Sequence, residues 1–266
     1  MTLPLTLTAE TRDLRQRLVK TLATLPRSYR APDEGSSASG ILISGEGNGD
    51  WAGRAANAID GGARAVIVAD PGMADPDSVL ALADLADRAG AVVELAERYA
   101  GDPTLLRHRA DLIQHLAATS TILISQVGDF TSAAHATLEM VRTVRALDQP
   151  LHLAHIWQTA HAVVLRGTSG EKLFEGIATA AKAGVGQRLV ALGFGRTLSL
   201  SLRGDGSARP SDLRIANAKG ERKLPQIFES VDRAAFRRAL TSVHSGRADG
   251  AALREFAADV AMIRSL

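Results

Sequence analysis

The chain reads as an α/β protein: a doubly wound, parallel-sheet domain over residues 1–118, followed by an α+β domain over residues 119–266 with a mixed or antiparallel sheet. Three observations predict this. Short apolar runs, GILIS at 40–44, RAVIVA at 64–69 and AVVEL at 91–95, alternate with stretches of helical periodicity, and strands separated by helices pair in parallel. After about residue 118 the strands cluster in neighbouring pairs instead, as an α+β domain requires. Apolar residues make up 45% of the 266 positions but aromatics only 4%, so Leu, Val, Ile and Ala must fill an ample core.

The elements follow in order. LPLTLT at 3–8 alternates as a short strand. Residues 9–25 carry Leu14, Leu18, Leu22 and Leu25 at helical spacing, and Pro26 ends that helix. Residues 27–39, rich in Pro, Gly and Ser, read as a loop. The strand at 40–44 leads into a turn, Gly45-Glu46-Gly47-Asn48-Gly49, and a helix over 50–60 that stops at Gly61-Gly62. The strand at 64–69 ends on Asp70-Pro71. A helix over 75–88 is closed by Gly90, and the strand at 91–95 follows. In the second domain, strands are expected at 121–127, 151–157, 160–166, 188–192, 197–203, 213–216 and 222–224. Helices are expected at 132–146, 229–243 and 251–263.

Composition excludes several functions. There is no cysteine, hence no disulfide, thiolate nucleophile, iron–sulfur cluster or Cys-zinc site. Thirty-one basic residues stand against 29 acidic ones, with no dense basic block carrying aromatics, so nucleic acid is not the expected partner. The apolar runs are too short to span a bilayer, and the first residues lack a signal peptide's basic and apolar regions, so a cytoplasmic location is expected. His152 and His155, three apart, would point to opposite faces of one strand, and no carboxylate cluster accompanies them; no metal site is expected.

Two constellations could carry chemistry. Gly45, Gly47 and Gly49 lie between a strand and a helix, and Asp70 ends the next strand. Glycines there let a pyrophosphate approach the backbone, and an acid can hold ribose hydroxyls. The strict G-x-G-x-x-G fails because Asp50 stands where the third glycine belongs, and a plain tight turn explains the segment as well. His135 and Glu139, four apart on a helix, share a face; the imidazole could act as acid or base and the carboxylate could orient it. A partly buried helix face is the simpler explanation of that pair.

Over residues 40–103 the ordered series AANAIDGG, RAVIVADP, DPDSVLALADLADRAG, AVVEL and ERYAGDP resembles the second half of the nucleotide domain of the glucose–fructose oxidoreductase/inositol dehydrogenase (Gfo/Idh/MocA) family. FTSAAHATLEMVRTVRAL, RLVALGFGRTLSLSL and ESVDRAAFRRAL resemble its second domain. The resemblance implies a Rossmann-like fold, NAD or NADP as cofactor and a sugar or cyclitol as substrate. It also implies departures. The family's first strand leads into a glycine-rich phosphate turn, whereas LTLTAETRDL has no glycine and carries Glu10 and Asp13. The family's catalytic lysine aligns with Asp70. The helix histidine is kept as His135, but its acid is Glu139, one residue further on than in the family.

This alignment makes the 45–49 turn a replacement for a loop beside the nicotinamide, and it excludes the simple fingerprint reading. The favoured expectation is therefore a degenerate relative without cofactor: a non-catalytic or auxiliary subunit, or a binder of a small sugar-like metabolite, working as a homo-oligomer or with a catalytic relative. The alternative is an active NAD(P)-dependent dehydrogenase of a sugar or cyclitol-like alcohol, with His135 and Glu139 on the substrate and Gly45, Gly47, Gly49 and Asp70 on the cofactor.

Overall fold

Leu3 and Leu5 of β1 (Leu3–Thr8) are buried while Thr6, next after Leu5, is exposed, the alternation the sequence shows. In this computed structural model, residues 3–8, 12–25, 28–30, 40–45, 50–128, 130, 132–147, 151–182, 184–204 and 206–266 are described. By internal contacts the chain divides into two units, residues 1–97 with 231–260 and residues 98–230 with 261–266. The sequence reading placed its line at 118/119, where the helix–strand alternation changes. The closing helices return to the first unit, a long-range association that periodicity cannot show.

In the first unit, β1 is followed by α1 (Arg12–Ala23), β2 (Tyr29–Arg30), β3 (Gly40–Ser44), α2 (Trp51–Asp60), β4 (Ala65–Ala69), α3 (Pro76–Ala89) and β5 (Val92–Ala96). The strands are all parallel, in the order β2-β1-β3-β4-β5. Every residue of β4 is buried, as a central strand covered on both faces must be. The chain steps from β1 to β2 on one side and then to β3 on the other, so a topological switch point lies between β1 and β3. Helix α3 has both ends the sequence promised. Asp75 accepts a hydrogen bond from Ser78 N–H at 3.0 Å, Pro76 opens the first turn, and Gly90 closes it at φ 63°.

The second unit holds α4 (Pro103–Arg107), α5 (Arg109–Leu116), β6 (Thr121–Gly128), α6 (Ala133–Leu147), β7 (Leu151–Gln158), β8 (Ala162–Ser169), β9 (Lys172–Ala180), β10 (Gly186–Gly193), β11 (Arg196–Arg203), β12 (Asp212–Asn217) and β13 (Gly220–Lys223). Its eight strands run β13-β12-β11-β10-β6-β9-β8-β7, all antiparallel except the β6–β9 pair. This is the mixed sheet the sequence implies. Helix α6 packs on one face, over β6 and β7–β9. The other face shows Val127, Trp157, Val164, Leu173, Ile177 and Leu192 exposed.

Strand β7 departs from expectation. Its pairing with β8 shifts between Leu153 and His155, a bulge that leaves Ala154 over. His152 pairs with Thr168 and His155 with Arg166, so the extra residue turns both histidines to the same exposed face. His155 stacks there on Trp157, ring centroids 5.2 Å apart. Gly167 is required opposite the bulge, since a Cβ on it would stand 2.1 Å from the His152 carbonyl oxygen.

The closing helices are α7 (Val231–Ser245) and α8 (Ala251–Arg264). Phe236, Ala235, Ala239 and Val243 of α7 join Leu18 of α1 and Leu3, Leu5, Leu42, Ile67 and Val92 of the sheet in one buried cluster. Trp51 of α2 lies outside that cluster; it packs edge-on against Phe256 of α8, with centroids 5.5 Å apart. Helices thus cover both faces of the parallel sheet. No helix among the described residues is long and apolar enough to cross a membrane.

Candidate functional site

Helix α6 carries His135, Glu139 and Thr143 at i, i+4 and i+8, one stripe along one face. The Ser132 hydroxyl oxygen accepts the His135 backbone N–H at 3.1 Å and starts the helix. His135 and Thr143 are buried. Beneath the stripe lie Gln126 of β6 and Gln187 of β10, buried and directly paired across the two strands. Gln126 Nε2 donates a hydrogen bond to Glu139 Oε2. Gln187 Nε2 donates to Gln126 Oε1 at 2.7 Å, and Thr143 Oγ1 to Gln187 Oε1 at 2.7 Å. The other carboxylate oxygen, Glu139 Oε1, faces His135 Nε2 and Arg98 Nε, each at 3.7 Å.

The second expected group lies at the carboxyl edge of the parallel sheet. Gly45 N–H donates to the Ala69 carbonyl at 2.6 Å, and the Gly45 carbonyl accepts from Gly72 N–H at 3.0 Å. A Cβ on Gly45 would stand 2.5 Å from Pro71 Cα, so close approach of its own chain already requires glycine. Gly47 and Gly49 lie outside the described residues, as does Glu10. Asp70 is buried, with φ 49° in the left-handed region. Its Oδ2 accepts from Arg17 Nη2 at 2.7 Å, and Arg17 Nε stands 2.8 Å from Asp232 Oδ2. Burial works against charge on Arg17, but Asp70 and then Asp232 outweigh it and hold the guanidinium above its ordinary pKa.

The structure therefore joins His135 to Glu139 in one unit and Gly45 to Asp70 in the other. The sequence reading missed Gln126, Gln187 and Arg17. The glutamines did leave a signal: Gln126 shares parity with Ile122 and Ile124, and Gln187 with Leu189 and Ala191, so both are polar residues at inward positions. Among the described residues no group of three or more His, Asp or Glu side chains could hold a metal ion.

Chemically, a buried imidazole beside a fixed carboxylate can exchange a proton with a ligand hydroxyl. A carboxylate tied into a buried ion pair, as Asp70 is, is held by its own protein.

No protein-family model and no curated protein sequence matches the chain. Solved structures do match along its whole length. UDP-N-acetylglucosamine 3-dehydrogenase from Acidithiobacillus ferrooxidans is 12% identical, with a TM-score of 0.74 over 100% of this chain and 97% of that one. A 3-ketoreductase from Actinomadura kijaniata, solved with NADP and TDP-benzene, is 9% identical, with a TM-score of 0.75 and the same coverage of both chains. A dehydrogenase from Chromobacterium violaceum is 13% identical, with a TM-score of 0.71 over 100% and 95%. At such identities the likeness is one of fold: the chain has the architecture of sugar-dehydrogenase and ketoreductase proteins, a Rossmann-like domain with an α+β domain.

Proposed function

We propose that this chain is an oxidoreductase that oxidises a hydroxyl of a sugar- or cyclitol-like alcohol with NAD or NADP. One observation carries the reading: within this fold, the buried His135–Glu139 pair is assembled by side chains from a helix and two strands. The matched proteins, named as dehydrogenases and a ketoreductase, favour it over a subunit without activity. The switch point between β1 and β3 suits a dinucleotide, which in open α/β sheets lies at the carboxyl ends of the strands where the order reverses. Gly45 ends β3 at that edge.

A bound nicotinamide would supply the hydride acceptor for the alcohol carbon. The chain's own part is the proton. His135 takes it as the hydroxyl becomes a carbonyl, and Glu139 orients the imidazole and offsets the positive charge it gains.

A second reading has its own support. Asp70 stands where the resemblance places a lysine. A carboxylate there would repel a developing alkoxide, and it is bonded to Arg17. Under this reading the chain is a non-catalytic or auxiliary subunit that binds a sugar-like metabolite. Nicotinamide absorbance, followed with a panel of sugars and cyclitols, separates the two. The first reading expects turnover in the wild-type chain and a loss of roughly 100-fold or more in His135→Gln. No turnover of any member leaves the second. We further propose that a second copy of the chain covers the apolar sheet face of β6–β10.

A further inference from the structure

The hydrogen bonds that reach Glu139 form a chain with one direction. Thr143 donates to Gln187, Gln187 to Gln126 and Gln126 to Glu139. Glu139 sets that direction. An ionised carboxylate only accepts, so Gln126 must turn its amide N–H to it, which leaves the Gln126 oxygen to accept from Gln187. Gln187 then presents its own oxygen to Thr143. The Thr143 oxygen also lies 2.9 Å from the Glu139 backbone carbonyl, but its single proton serves one acceptor at a time, and the relay claims it. Reversing the chain would set the Gln126 oxygen against a carboxylate oxygen, two buried acceptors with no proton between them.

We infer that Gln126, Gln187 and Thr143 are positioning residues. They hold Glu139 Oε2, so that Oε1 is the oxygen turned to His135, 3.7 Å from Nε2, and its negative charge there favours the proton of the neutral imidazole on Nε2. The geometry supports this beyond packing. Gln126 and Gln187 occupy inward positions on neighbouring strands where apolar residues would pack as well, and each uses both ends of its amide in the relay. An unoriented carboxylate would leave the ring free to flip between tautomers.

The inference rests on the reading of His135 and Glu139 as the reacting pair, so its test is read without substrate or cofactor. In full-length protein labelled with 15N-histidine, long-range 1H–15N spectra report the tautomer of each ring, and His135→Gln assigns the resonance. The relay predicts a single Nε2–H tautomer for wild-type His135. Gln187→Met, and Thr143→Val, which removes one hydroxyl with little change of shape, should mix the tautomers or displace the His135 ring resonances alone. Thr143→Ser should restore the wild-type spectrum. His135 resonances identical in wild type, Gln187→Met and Thr143→Val, with only the melting temperature lowered, would show the glutamines to be packing and overturn the inference. Should Gln187→Met fail to fold, Thr143→Val carries the comparison. A moved spectrum in a chain that turns over no sugar would leave the relay standing and remove the reaction.

Discussion

Asp70 holds a left-handed backbone conformation that costs a non-glycine residue roughly 1 kcal/mol or more, and among such residues Asp and Asn bear it best. Its carboxylate is bound by Arg17, which also meets Asp232, so one guanidinium serves two buried acids. Orphaning a buried charge costs about 3–5 kcal/mol, but without Asp70 the Arg17 guanidinium keeps Asp232 and is 27% exposed, which reduces the cost to roughly 2 kcal/mol. Asp70→Ala should therefore destabilise the first unit by about 2–3 kcal/mol. Asp70→Asn, which keeps a hydrogen bond and tolerates the conformation, should cost less than half of that in a urea titration. Equal losses in the two variants would show that the carboxylate charge alone, and neither the hydrogen bond nor the backbone conformation, governs the site. None of this was legible in the sequence, because Arg17 and Asp70 are 53 residues apart and nothing local announces their meeting. His135 and Glu139 were legible, being one helical turn apart.

At the scale of the element, legibility followed burial. Strands β3 and β4 read clearly as apolar runs bounded by Gly or Pro. Strand β9 did not: Gly176 interrupts it, and Lys172 and Glu175 lie along it, so KLFEGIATA lacks a strand's usual signal. Helices α4 and α5 are too short for periodicity to reveal. The bulge in β7 defeated strict alternation, which is why His152 and His155 share a face. The open side of β6–β10 is the element-scale feature with a consequence. Trp157 is 52% exposed and Ile177 46%, with Val164 paired between them across β7, β8 and β9, an apolar patch of the kind that marks an interface. If a second copy covers it, Ile177→Asp should convert a dimer to a monomer in light scattering while leaving the unfolding midpoint of the separated chain nearly unchanged. A wild-type chain that is monomeric at every concentration would remove the proposed interface.

At the scale of the molecule, the two-part architecture was legible because parallel and antiparallel sheets leave different traces: isolated buried runs between helices in one, neighbouring strand pairs in the other. The return of α7 to the parallel sheet was not, since its apolar face would suit either unit. The balance between an active oxidoreductase and an auxiliary subunit turns on the dinucleotide. The fold and the switch point favour binding, whereas the absence of glycine from the sequence after β1 and the bound carboxylate of Asp70 weigh against it. Isothermal titration of the wild-type chain with NADH and NADPH decides between them. The account predicts saturable binding of one of the two with a dissociation constant below about 100 μM, equivalent to about 5.5 kcal/mol. Absence of any saturable heat up to millimolar nucleotide, for a chain shown to be folded, would contradict it.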